Sequence, residues 1–205
     1  MGSKLRKEDE NCSNIISQYL DINLYDKFMK ETKRIYDKKT QIKGIDVIFK
    51  YNNITYLCDE KAAIRYTNKK LNTFSFELSF INKKGDIQKG WLLNEDNENN
   101  SYLLIYINKA KNDIIQNISD IQEIECILLH KKNIITYLNS IGWDENKLMK
   151  KMDNIRYNND NNMGNINENG CKFSYSQQLY EKPINVLISR NILRKISDDI
   201  FTLKN

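Results

Sequence analysis

The sequence has few of the residues on which many catalytic and metal sites depend. Its 205 residues include one histidine, His130, and four cysteines, at positions 12, 58, 126 and 171, none of which form a Cys-x-x-Cys pair. A structural zinc site therefore lacks closely spaced ligands. Serine and cysteine nucleophiles usually need a histidine base, and His130 has no nucleophile motif beside it. Any chemistry is expected to depend on carboxylates and lysines.

Long apolar runs are also missing. No segment approaches the roughly 20 apolar residues of a membrane span, and no apolar core follows the polar stretch MGSKLRKEDENCSN, as a secretion signal would require. So few cysteines in a chain of this length do not indicate a disulfide framework. We therefore expect a cytoplasmic protein with reduced thiols and no membrane partner.

The composition is sufficient for a buried core. Apolar residues make up 40% of the chain, and 32 lysines and arginines against 27 acidic residues give a net charge of +5. This mild excess of positive charge is compatible with a nucleic-acid partner, but many proteins without such a partner carry it too.

Hydrophobic periodicity predicts a mixed α/β protein. Apolar residues recur at helical spacing over residues 11–38, and alternating runs at 45–49 and 54–59 flank a YNN turn, which predicts a β-hairpin. Further strands are predicted at TFSFELSFI, IQKGWLLN, SYLLIYIN, EIECILLH and INVLIS, and helices at NIITYLNSI, ENKLMKKMDNI and RNILRKIS. The polar, low-complexity residues 157–170 predict a loop.

Charged residues gather where the two hairpin strands should meet. Asp46 begins the first strand, and the second strand, ITYLC, runs into Asp59-Glu60-Lys61. Side chains alternate along a strand, so Asp59 and Lys61 share one face and Glu60 points to the other. Two adjacent carboxylates repel each other unless a cation joins them. That cation is either Lys61, in a plain salt-bridge cluster, or Mg²⁺, which accepts carboxylate oxygens and keeps several waters.

Gly44-Ile45-Asp46 followed by Asp59-Glu60-Lys61 resembles the signature of the PD-(D/E)XK nucleases, with Ile45 in place of the usual proline. The order of the predicted helix and strands is similar as well. The resemblance implies an α/β fold with a restriction-endonuclease-like core, in which helices flank a mixed central β-sheet. It implies a single nuclease domain over residues 1–205, with the core at about 11–110 and an α/β elaboration at about 111–205.

The resemblance also implies roles for the charged residues. Asp46 and Asp59 would bind the metal, together with the backbone carbonyl of Glu60, and Lys61 would lie beside the attacking water. The implied cofactor is Mg²⁺, with Mn²⁺ able to substitute.

These roles indicate a metal-dependent deoxyribonuclease. The small size and the lack of helicase or methyltransferase motifs favour a type II restriction endonuclease that cuts double-stranded DNA at a specific site, and the family leads us to expect a homodimer. Two alternatives stay open. One is a structure-directed or repair nuclease without sequence preference, and the other is a non-catalytic α/β binding module whose charge cluster is structural.

Three further residues are candidates for the same site. Glu77 is central on the polar face of TFSFELSFI and suits a catalytic cleft, although a solvated strand face explains it equally simply. Gln41, just before the Gly-Ile-Asp stretch, could touch the phosphate, and Glu31, on the predicted first helix, could reach the same cleft.

Basic residues near the motif and in a later hairpin are candidates for DNA contacts. Contacts to phosphate give salt-dependent affinity without reading sequence. The alternative is that these lysines only keep the surface soluble. The candidate set is Arg65, Tyr66, Lys69, Lys70, Lys83, Lys84 and Lys89.

Overall fold

The protein is a mixed α/β structure, as the periodicity predicts. The computed structural model describes residues 2–158 and 160–205, with side chains from residue 8 onward. The helices are α1 (Gly2–Leu20), α2 (Asp26–Phe28), α3 (Lys38–Ile42), α4 (Lys131–Ser140), α5 (Glu145–Tyr157), α6 (Ile166–Asn169) and α7 (Arg190–Ile196). The strands are β1 (Lys30–Arg34), β2 (Val47–Tyr51), β3 (Ile54–Ala62), β4 (Thr73–Ile81), β5 (Ile87–Lys89), β6 (Ser101–Ala110), β7 (Ile121–His130), β8 (Cys171–Tyr175), β9 (Ile184–Ser189) and β10 (Asp199–Lys204). None of the helices in the described part of the chain is both long and apolar enough to cross a bilayer.

The chain divides into two compact units that are interleaved along the sequence. The first comprises residues up to 71, 98–130 and 197–205, and the second comprises 72–97 and 131–196. The first unit contains a six-stranded sheet in the order β1-β2-β3-β6-β7-β10, and the second a four-stranded sheet in the order β5-β4-β9-β8. A single nuclease domain over the whole chain stays a prediction.

The six-stranded sheet of the first unit is mixed. Strands β3 and β6 are parallel, whereas the other neighbouring pairs are antiparallel. One face packs against α1, whose residues Ile16 and Leu20 recur at helical spacing and are fully buried. Alternate residues of β6, Leu103 and Ile105, belong to that core. Its intervening residues, such as Tyr102, lie on the opposite face.

The β2–β3 hairpin confirms the prediction and sets the position of the charged residues. Its strands pair from Val47 opposite Cys58 to Tyr51 opposite Ile54. The two turn residues between them have φ values of 49° and 63°, the left-handed conformation that asparagine tolerates better than most residues. At the open end of the hairpin, just before the Val47–Cys58 pair, the Asp46 N–H donates to the Cys58 carbonyl over 2.9 Å. Asp46 therefore lies beside the end of β3.

The prediction of a helix over residues 11–38 is wrong beyond residue 28. After α1, a π-helical turn, Asp21–Tyr25, and the short α2, the chain enters β1. The sequence of β1, KETKR, contains no apolar residue, so periodicity carries no signal there and pairing with β2 decides the conformation. Glu31 therefore lies on an edge strand with φ of 49°, ion-paired to Lys50 over 2.6 Å, and not on a helix above the cleft.

The second unit confirms most of its predicted elements. Helices α4, α5 and α7 and strand β9 appear where expected, and the Asp144 side chain caps α5 by accepting the Lys147 N–H over 2.9 Å. The predicted strand IQKGWLLN is shorter, because the chain turns at Gly90 after β5. Within the predicted loop 157–170, of which residue 159 lies outside the described residues, the four-residue helix α6 forms.

Candidate active site

The end of the β2–β3 hairpin brings three predicted site residues into contact. The Lys61 ammonium Nζ lies 2.7 Å from Asp59 Oδ1. Asp46 lies close enough to Asp59 for its carboxyl group to raise the pKa of Asp59, and Asp46 Oδ2 accepts the Glu60 backbone N–H over 2.9 Å. Local strand pairing thus brings Asp46 to Asp59 and Lys61, which lie 13 and 15 positions further along the sequence.

The carboxyl pair is electrostatically unusual. The Asp59 side chain is only 4% exposed, and this burial raises its pKa to about 7, with Lys61 lowering it and the neighbouring Asp46 raising it further. Asp59 therefore holds a proton for a substantial fraction of the time at neutral pH. A divalent cation would compete with that proton, because it offsets the repulsion that keeps the proton bound.

Asp59 is buried, but solvent reaches its two neighbours in the cluster, Lys61 and Asp46. Lys61 is 32% exposed along its side chain. Asp46 borders a cavity of about 450 Å³, whose other walls include Gln41 and polar residues of α1 such as Asn14 and Gln18. The Gln41 side chain also donates to the Ile35 carbonyl over 2.9 Å, so Gln41 lies near Asp46 but is tied to the backbone.

Glu60 points away from Asp59 and Lys61, as strand alternation predicts. Its carboxylate accepts hydrogen bonds from Arg34, Tyr25 and Ser17 on the face that packs against α1. Only its backbone carbonyl is left as the predicted metal ligand. These contacts of Glu60 were not predicted. The one feature of the sequence that indicates them is a glutamate on the core face of an apolar strand.

Glu77 lies on β4, in the other unit and in the other sheet, opposite Asn185 of β9. Its membership of the site stays a prediction.

Of the predicted DNA-contacting residues, Arg65 and Lys89 form ion pairs within the protein. Arg65 forms an ion pair with Asp9 over 2.8 Å, and Lys89 pairs with two glutamates. Exposed ion pairs of this kind contribute little to stability, so these basic side chains are available to exchange their partners for phosphate. The others lie on the surface, in the segment after β3 or in the turn after β4, namely Tyr66, Lys69, Lys70, Lys83 and Lys84.

The donor set fits magnesium better than zinc. Among the described residues, no three or more His, Cys, Asp or Glu side chains form a group that could hold a metal ion. Asp46 and Asp59 supply two carboxylates, and Mg²⁺ is commonly bound by one or two carboxylates while it keeps several waters. A tetrahedral zinc site would need more protein ligands.

No family model, curated protein or solved structure matches the chain. What the protein does must therefore be inferred from the geometry of the hairpin end.

Proposed function

We propose that the protein is a Mg²⁺-dependent deoxyribonuclease of the PD-(D/E)XK type, and specifically a type II restriction endonuclease. The contact of the Asp46 and Asp59 carboxyls beside the Lys61 ammonium carries the proposal. An aspartate with a raised pKa, a second carboxylate beside it and an adjacent lysine, at the end of a central strand of the sheet, suit metal-assisted hydrolysis of a phosphodiester.

The strand order supports the finer fold assignment. A hairpin that carries the acidic residues is followed by a strand parallel to its second member, within a mixed sheet that packs against a helix. We propose that this arrangement is a restriction-endonuclease-like core, with Mg²⁺ as the cofactor and Mn²⁺ as its substitute.

Each residue at the hairpin end would have a separate role in hydrolysis. Asp46, Asp59 and the Glu60 carbonyl would hold the metal, which when bound acts as a Lewis acid toward the phosphodiester. Lys61 would orient the attacking water and donate hydrogen bonds to phosphate oxygens that gain negative charge. The water oxygen would bond to phosphorus as that water gives up a proton to bulk solvent, the bond from phosphorus to the leaving sugar oxygen would break, and that oxygen would take up a proton from another water molecule.

Double-stranded DNA would be held by the basic residues around the hairpin. Arg65, Tyr66, Lys69 and Lys70 follow β3 directly, and the chain carries a net charge of +5. A homodimer would supply two such sites, one for each strand of the duplex.

Plasmid cleavage tests the function. Wild type is incubated with supercoiled plasmid in Mg²⁺, in Mn²⁺ and in EDTA, beside Asp59→Asn and the control Asp26→Asn, which changes an exposed aspartate of α2. We expect discrete fragments with either metal, none in EDTA, and a loss of at least about 100-fold in Asp59→Asn only. A smear would favour the nuclease without sequence preference, and no cleavage with any metal would favour the binding module.

A further inference from the structure

The carboxylate of Glu60 is held by hydrogen bonds from three side chains, those of Arg34, Tyr25 and Ser17. Arg34 donates a hydrogen bond to each oxygen of this carboxylate, from Nη1 to Oε2 over 2.9 Å and from Nη2 to Oε1 over 3.1 Å. The Tyr25 hydroxyl donates to Oε1 over 2.7 Å, and the Ser17 hydroxyl donates to Oε2 over 3.0 Å. The Glu60 side chain is 8% exposed, so these bonds form with little competition from water.

Arg34 is itself fixed from a second side. Asp21 accepts from Arg34 Nη2 over 2.6 Å and from Nε over 2.9 Å. The two carboxylates hold the pKa of the Arg34 guanidinium above its usual range despite burial. Together these contacts tie β3 to α1, to the π-helical turn and to β1.

Residue 60 is also the residue between Asp59 and Lys61, and its backbone N–H donates to Asp46 Oδ2 over 2.9 Å. One residue is therefore anchored twice, by its side chain on the helix side of the sheet and by its backbone at the carboxyl pair. A shift of Glu60 would move both of its neighbours and loosen the hydrogen bond that orients Asp46.

This network is not itself a second metal or anion site. Both of its carboxylates are already paired with Arg34, and the Arg34 donors are taken up by Asp21, Glu60 and the Ser17 carbonyl.

We propose that Arg34 and Glu60 are positioning residues for the hairpin-end site. Through the backbone of residue 60 their side chains hold Asp46, Asp59 and Lys61 in place, and they act through these three residues. The proposal rests on the proposed function for its link to cleavage, but not for its link to metal binding.

The test compares Glu60→Gln and Arg34→Lys with wild type and with Glu98→Gln. The control breaks a different ion pair of the same unit, Lys43–Glu98, whose side chains are about half exposed. Steady-state cleavage is measured at varied DNA and varied Mg²⁺, and Mn²⁺ binding to the free protein is measured by electron paramagnetic resonance. Thermal unfolding identifies which variants are folded, and a variant that does not fold is replaced by Tyr25→Phe, which removes one hydrogen bond to Glu60.

We expect kcat to fall about 10- to 100-fold with KM for DNA nearly unchanged, and the Mn²⁺ dissociation constant to rise about tenfold or more. Glu98→Gln should match wild type. Folded variants with wild-type kcat and Mn²⁺ affinity, or with a loss confined to KM for DNA, overturn the proposal. If wild type binds Mn²⁺ without cutting DNA, the nuclease assignment fails, and weaker Mn²⁺ binding in Glu60→Gln still supports the positioning role. If wild type binds no Mn²⁺, both are overturned.

Discussion

At the scale of single residues, the protonation of Asp59 is the property that sets the site apart. A carboxyl with a pKa near 7 is protonated in the folded protein at pH values where it is ionised in the unfolded chain. Folding therefore retains a proton between the ordinary aspartate pKa, near 4, and about 7. Because the folded state binds more protons, this group makes stability fall as pH rises through that window, by up to about 1.4 kcal/mol per pH unit.

Replacing Asp59 by asparagine should remove that pH dependence. Without metal, we expect wild type to lose about 2 kcal/mol more than Asp59→Asn in the free energy of unfolding between pH 5 and pH 7. Urea unfolding in EDTA at both pH values measures the difference. The exposed Asp26→Asn should follow wild type. Equal losses in wild type and Asp59→Asn would contradict the raised pKa.

Magnesium should offset the loss of stability that comes with ionising Asp59, because it replaces the proton between the carboxylates. At pH 7.5, a Mg²⁺ concentration 100-fold above the dissociation constant should stabilise wild type by about 2.7 kcal/mol, since a ligand of the folded state alone stabilises it by mass action. Asp59→Asn should gain much less. Thermal unfolding with and without Mg²⁺ measures this, and an equal gain in both proteins would show that the ion binds elsewhere.

At the scale of elements, the Asn52-Asn53 turn fixes the register that brings Asp46 beside Asp59. Both residues have a positive φ, so Asn53→Ala should cost about 1 kcal/mol, whereas Asn53→Gly should be neutral or stabilising. Urea unfolding of both variants tests this. A cost in Asn53→Gly equal to that of Asn53→Ala would mean that the asparagine side chain, and not the backbone conformation, stabilises the turn.

In the second unit, Gly90 permits the close approach of β4 to the turn after β5. A Cβ at this position would lie 2.4 Å from the Glu77 carbonyl oxygen, an overlap that the backbone cannot relieve without moving β4. Gly90→Ala should destabilise the protein by several kcal/mol, while Gln88→Ala, on the exposed surface of β5, should change little. Similar unfolding midpoints for the two variants would contradict this packing.

The elements that could be predicted from the sequence are those that local patterns determine. The β2–β3 hairpin follows from alternating apolar residues around a turn, and the meeting of Asp46 with Asp59 follows from the hairpin. Strand β1 could not be predicted, because KETKR has no apolar pattern and its conformation depends on pairing with β2. The Arg34–Glu60 contact joins residues 26 positions apart, and only the packing of α1 and β1 around β3 creates it.

At the scale of the whole molecule, the excess of positive charge should govern DNA affinity. Contacts between lysines and phosphate release counterions, so DNA affinity falls as the salt concentration rises. In a plot of the logarithm of the association constant against the logarithm of the salt concentration, each phosphate contact steepens the slope by about 0.9. Lys69→Ala combined with Lys70→Ala should lower that slope by up to about 1.8. Lys38→Ala combined with Lys39→Ala removes the same charge from α3 and should have a smaller effect. Fluorescence anisotropy with Ca²⁺ over a salt series measures the slope for each double variant. Equal slopes for the two would mean that the DNA does not contact Lys69 and Lys70.

A crystal structure with duplex DNA and Ca²⁺, which can occupy a magnesium site without supporting rapid cleavage, tests the central claim most directly. The proposed site requires Ca²⁺ on the carboxylates of Asp46 and Asp59, with a DNA phosphate oxygen within hydrogen-bonding distance of Lys61 Nζ. DNA bound with no ion at this carboxyl pair, or with its backbone out of reach of Lys61, would contradict a nuclease site at the end of the β2–β3 hairpin.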